Sequence, residues 1–109
     1  MFRITFNPKV EQRIRGLAEI PKLNQSAQSF WKELSSLVQL IANEALDVGE
    51  PKYDYKNVKL QSRLVVGKFI AIQYAVSEEY QFVFVEKVSL SGAHPYPDEY
   101  AVILNSKEP

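Results

Sequence analysis

Three strand-like runs, Val58 to Leu64, Phe69 to Val76 and Tyr80 to Val88, follow one another across connections of only a few residues. Such short links leave no room for a crossover helix, so consecutive runs are expected to pair antiparallel as hairpins. In the first run Val58, Leu60, Ser62 and Leu64 alternate with Lys59, Gln61 and Arg63. That period of two sends successive side chains to opposite faces and predicts one open face carrying Lys59, Gln61 and Arg63. Gly67-Lys68 is expected to turn the chain into the second run, with Gly67 supplying the positive φ that tight hairpin turns favour. Ser77-Glu78-Glu79 makes the next turn.

Ahead of these runs, Phe2, Ile4 and Phe6 alternate with Arg3 and Thr5, which predicts a first strand. Asn7-Pro8 supplies a capping oxygen followed by a residue suited to a first helical turn. Val10, Ile14 and Leu17 then mark one face of a helix over about residues 8–19, which Pro21 interrupts. Asn24 or Ser26 can cap a longer second helix with Ala27, Phe30, Trp31, Leu34, Leu37, Val38, Ile41 and Ala45 on its apolar side. Phe30 and Trp31 read as anchors of the helix-sheet core. Gly49, Glu50 and Pro51 stop this helix, and Tyr53 to Asn57 leads into the sheet. Tyr53 and Tyr55 alternate, so they suit packing on one face of an entering strand as well as stacking on a base beside Lys52 and Lys56. The expectation is an α+β fold in the order β-α-α-β-β-β, two helices packed on one mainly antiparallel sheet of about four strands. From about residue 92 to 109, Pro95, Pro97 and Pro109 predict an irregular tail, in which Tyr100 to Leu104 can dock as a short strand.

The 109 residues suit a single domain, since domains commonly run to roughly 100–150 residues. Thirteen Lys and Arg balance thirteen Asp and Glu, so the whole chain has no bias of the kind that marks strong nucleic-acid binders. The positive charge is local: Lys52, Lys56, Lys59, Arg63 and Lys68 face a single acid, Asp54, between residues 52 and 68. The absence of cysteine excludes disulfides, thiolate metal sites and cysteine nucleophiles, and one histidine argues against a zinc enzyme. There is no phosphate-binding glycine loop, dinucleotide fingerprint or nucleophile elbow, so no cofactor or metal is expected. The opening Met1-Phe2-Arg3-Ile4-Thr5-Phe6 lacks a signal-peptide apolar region and no run reaches membrane-span length, which predicts a cytoplasmic protein without a membrane partner.

Over about residues 2–96 the chain resembles the RelE/ParE-like superfamily of type II toxins. The resemblance lies in the Phe2-Arg3-Ile4-Thr5-Phe6-Asn7-Pro8 entry, the helical pair, the Val58 to Val76 segment with Arg63 and Gly67, and the Phe82-Val83-Phe84-Val85 strand followed by a polar turn and Tyr96. It implies a toxin neutralised by an antitoxin protein, acting either as a metal-independent endoribonuclease on ribosome-bound mRNA or as a non-catalytic poison of gyrase. A diverged, non-toxic protein-interaction domain is the further alternative. The resemblance carries Lys59 and Arg63 over as the basic residues of the sheet and Tyr96 as the aromatic residue near the C-terminus. Two features depart from it. Gly67 is followed by Lys68-Phe69-Ile70 instead of an aromatic residue and arginine, and Ser89-Leu90-Ser91-Gly92-Ala93-His94-Pro95-Tyr96 lacks the arginine-rich turn.

RNA cleavage by a neighbouring 2′-hydroxyl needs a base, an acid and cations for the developing phosphate charge. Lys59 and Arg63 are the candidates for phosphate stabilisation, with His94 and Tyr96 for proton transfer. Lys59, Gln61, Arg63, Lys68 and Lys87 are the candidate nucleic-acid contacts, and Arg3 and Thr5 join them if the first strand lies alongside. The competing reading of the cations is an ordinary solvated sheet face. His94 has the one side chain whose ordinary pKa lies near neutrality, but it also suits a plain turn. Tyr96 suits packing of the tail onto the core as well as a role at a base.

Overall fold

The computed structural model describes residues 1–18, 25–55, 59–92 and 94–105. The described chain runs β1 (Arg3–Phe6), α1 (Pro8–Ala18), α2 (Gln25–Glu44), β2 (Glu50–Tyr55), β3 (Leu60–Val66), β4 (Ile70–Ser77), β5 (Phe82–Leu90) and α3 (Asp98–Leu104). The fold is α+β. Its sheet has five strands in the order β1-β5-β4-β3-β2, with β1 parallel to β5 and every other pair antiparallel.

The helical pair follows the sequence pattern closely. Asn7 Oδ1 accepts the Lys9 amide at 2.9 Å, which caps α1 where Pro8 enters it. The interruption expected at Pro21 and the cap at Asn24 lie outside the described residues. Phe30, Leu34, Leu37 and Ile41 of α2 are buried against Val65, Ile70, Ile72, Tyr74, Val76, Val83 and Val85 of the sheet, and Trp31 packs beside them.

Three elements differ from expectation. β2 is an additional edge strand where a plain lead-in was expected; its Pro51 is accommodated because an edge strand needs fewer amide donors and the register shifts between Pro51 and Tyr53. The tail expected to be irregular, or to hold a short strand at Tyr100 to Leu104, instead folds into α3. Asp98 and Glu99 complement the positive end of that helix, while Tyr100 and Leu104, one turn apart, are buried on the core. β5, expected simply as a strand, carries a bulge at Glu86: Gln73 opposes Lys87 while Tyr74 opposes Val85, so Val83 and Val85 before it and Val88 after it all reach the same core; the third difference is the facing of β3.

Cross-strand partners share a face, so the register fixes which side of the sheet each residue occupies. Gln61, Arg63 and Val65 oppose Val76, Tyr74 and Ile72, whose side is the helix-covered core. Ser62 and Leu64 oppose Ala75 and Gln73 on the other, open side. The two faces of β3 are therefore the reverse of those expected from its alternation.

Candidate functional site

Arg63, the central candidate cation, lies under the helices and is 6% exposed. α2 ends at Glu44, and the carbonyl oxygens of the segment joining it to β2 need donors. Arg63 supplies them from the sheet: Nε donates to Val48 O at 3.0 Å, Nη2 to Gly49 O at 3.3 Å and Nη1 to Gln61 Oε1 at 2.6 Å. Its cross-strand neighbour Tyr74 donates to Ala45 O at 2.8 Å and Val48 O at 3.3 Å. Burial raises the Tyr74 pKa and the nearby guanidinium partly offsets this. The guanidinium thus ties the Val48–Gly49 segment that follows α2 to the sheet.

The other candidate cations do not converge. Lys59 is exposed in the turn before β3, with φ 51°, and borders a small hollow that also contains Asp54 and Glu78. Lys68 occupies the opposite end of β3, a separation of roughly 20 Å or more at ~3.3 Å per strand residue. Lys87 opposes Gln73 on the open face, across the sheet from Arg63 and Gln61. Arg3 and Thr5 oppose Phe82 and Phe84 on that same open face, but β1 lies beyond β5 and β4 from β3. The expected shared surface of Lys59, Gln61, Arg63 and Lys87 is therefore not formed.

Lys68 and His94 each lie near Tyr96, beside a residue the sequence pattern did not single out. Glu33 lies at the margin of the apolar stripe of α2, and its carboxylate joins three distant segments. Oε1 accepts from Tyr96 Oη at 2.7 Å, while Oε2 accepts the Phe69 and Ile70 amides at 2.7 and 2.9 Å. Tyr96 is 4% exposed, and both its burial and the facing carboxylate push its pKa far above the ordinary value, so it remains a proton donor. Its ring packs edge-on to Phe30 at 5.2 Å and to Phe69 at 5.7 Å, and His94 stacks on it at 5.6 Å. His94 Nδ1 is buried without a hydrogen-bond partner. A signal for Glu33 existed in sequence only as one acid bordered by Phe30 and Leu37 at helical spacing.

Gly67 serves this junction, though not through the positive φ expected of it. A Cβ there would meet Glu33 Oε2 at 2.7 Å and Leu37 Cδ1 at 3.0 Å. Beside the junction, Ser29, Lys32, Glu33 and Ser36 of α2 form one wall of an open groove of about 680 Å³, completed by Lys68, Phe69, Pro95 and Tyr96.

The open sheet face has a different character. Half-buried Phe82, Phe84 and Leu64 surround small residues that include Ala71 and Ala75, and Ser62 is fully buried there. Gln73 Nε2 reaches Ser62 Oγ at 3.5 Å, and that hydroxyl reaches Glu86 Oε1 at 3.4 Å. The side chains of Tyr53 and Tyr55 lie outside the described residues; their backbones pair with Ser62 and Leu60. Among the described residues no group of three or more His, Cys, Asp or Glu could hold a metal ion, and no helix is long and apolar enough to cross a membrane. No family model, curated protein or solved structure matches the chain.

Proposed function

We propose that this chain is a diverged RelE/ParE-like domain that acts by binding a protein partner rather than by cutting RNA. The observation that carries the proposal is the burial of Arg63, whose guanidinium is held by the carbonyls after α2 and by Gln61. A phosphate in reaction needs cations that converge on it from an accessible surface. Here the one arginine of the expected trio is beneath the helices, and Lys59 shares its hollow with two acids.

The open sheet face suits the alternative. Large half-buried rings beside small residues, with a polar Ser62–Glu86 contact, offer the mixed surface that a protein partner covers. The occupant favoured is an antitoxin-type amphipathic segment, its apolar side on Phe82 and Phe84.

The test is controlled induction of the wild-type chain in a bacterial host, with growth, RNA integrity and DNA supercoiling followed in the same cultures. Intact RNA and unchanged supercoiling are expected, together with co-purification of a partner that Phe84→Glu loses while remaining folded. RNA cleavage by the purified wild type on translating ribosomes would overturn the proposal. Inhibited supercoiling with intact RNA would transfer the chain to the gyrase-directed class.

A further inference from the structure

We propose that the groove between α2 and the β3–β4 turn binds a small ligand in which an aromatic ring carries an anionic group. At about 680 Å³ its volume falls within the ~300–1,000 Å³ typical of small-molecule sites. Its floor is rigid, because Glu33 is fixed by three hydrogen bonds from the hairpin and Tyr96.

Charge and shape select the ligand together. Glu33 carries one negative charge at the floor, its oxygens turned to the Phe69 and Ile70 amides and Tyr96, against the two positive charges of Lys32 and Lys68. The charge at the mouth is set by Lys32 and Lys68, which approach from opposite walls, are exposed and form no ion pair among the described residues. Ser29 and Ser36, one helical turn to either side on the same stripe of α2, add rotatable hydroxyl donors. Phe69 and Pro95 give the groove an apolar wall on which a flat ring can pack. The Lys68 ammonium is 5.3 Å from the Phe69 ring centroid, so an anion attached to a ring beside Phe69 meets that charge directly.

A long polyanion is disfavoured at the same place. The two lysines of the groove, with Glu33 between them, are too few to hold a charged backbone passing it. The shared chemistry fits a mononucleotide or an aromatic carboxylate, and the probes below separate the two.

The experiment is titration of the isotope-labelled full chain with adenosine monophosphate, with benzoate and with inorganic phosphate, followed by amide NMR shifts. Saturable shifts at Lys32, Glu33, Lys68 and Phe69 are expected with at least one of the two ring-bearing anions and not with phosphate alone. Binding of only the nucleotide, or only the carboxylate, supports the proposal and names the source. A Lys32→Ala/Lys68→Ala variant, both sites being exposed, should keep the wild-type melting temperature and lose about tenfold in affinity. No saturable shift from either ring-bearing anion, equal shifts from phosphate, or unchanged affinity in the double variant would each overturn it.

Discussion

Arg63 braces the segment that joins α2 to β2. Replacing it with alanine leaves Val48 O and Gly49 O without their guanidinium donors and strands Gln61. Arg63→Ala is expected to cost about 2–4 kcal/mol, read as a lower urea midpoint with an unchanged slope, whereas Lys59→Ala should stay within about 0.5 kcal/mol. Equal losses for the two would contradict that bracing role. The tyrosines supply a pH signature of their own. Tyr74, Tyr96 and Tyr100 all have pKa values raised by burial, and Glu33 adds to the effect at Tyr96. The folded state therefore holds these protons more tightly than the unfolded chain, whose phenols ionise near pH ~10. Their contribution is fully present below that pH and is lost as pH rises through the higher folded-state values. Thermal unfolding should show a fall in stability above pH ~10 that Tyr96→Phe makes shallower, at a neutral-pH cost of about 1.5–3 kcal/mol for the bond to Glu33.

Between elements, the closest tolerances are at two glycines. Gly49 has φ 69°, and a Cβ there would stand 2.3 Å from Leu64 O; Gly67 is limited by Glu33 and Leu37 instead. Gly49→Ala is expected to lose at least ~2 kcal/mol, from left-handed backbone strain plus a backbone clash that no side chain can relieve. Gly67→Ala should lose less, because Glu33 can swing away, but its Phe69 and Ile70 amides should then exchange with solvent faster than in the wild type. Unchanged exchange at those two amides would show that the carboxylate is not what holds the turn. The same elements explain what the chain's pattern revealed. α1 and α2 were legible because Val10 and Leu17, and Phe30 through Ile41, keep the helical period and nothing else competes with it. β3 was legible as a strand but not in its facing: Leu60, Ser62 and Leu64 look like the inner set only when a buried arginine is not considered, and the polarity of Gln61 and Arg63 serves the segment between α2 and β2. β2 was obscured by Pro51 and its charges, and α3 by Pro95 and Pro97 with only seven residues to show a period. The candidate site fared likewise. Tyr96 and Lys68 could be picked out singly, while Glu33, which ties Tyr96 to the turn, becomes meaningful only when residues 33, 69 and 96 meet.

Across the whole molecule, protection should grade from the middle of the sheet to its rims. β4 has hydrogen-bonded neighbours on both sides and is packed by α2, whereas β1 and β2 each pair on one side only among the described residues. Hydrogen exchange is expected to be slowest in Ile70 to Val76 and fastest among the strands in Glu50 to Tyr55, where the register also breaks. A sheet whose β2 amides outlast those of β4 would contradict this distribution of packing. The pairing of β1 with β5 has a further consequence for synthesis. Arg3 opposes Phe82 and Phe6 opposes Val85, so β1 leaves the ribosome long before β5, the one strand it pairs with among those described. A nascent chain halted after Gln81 has an N-terminal segment with no strand to lie beside, and a Glu33 carboxylate whose tyrosine partner has not yet been made. Closure of the sheet then comes as a late step, and a chain cut after Gln81 is expected to be cleared by proteases that spare the uncut protein.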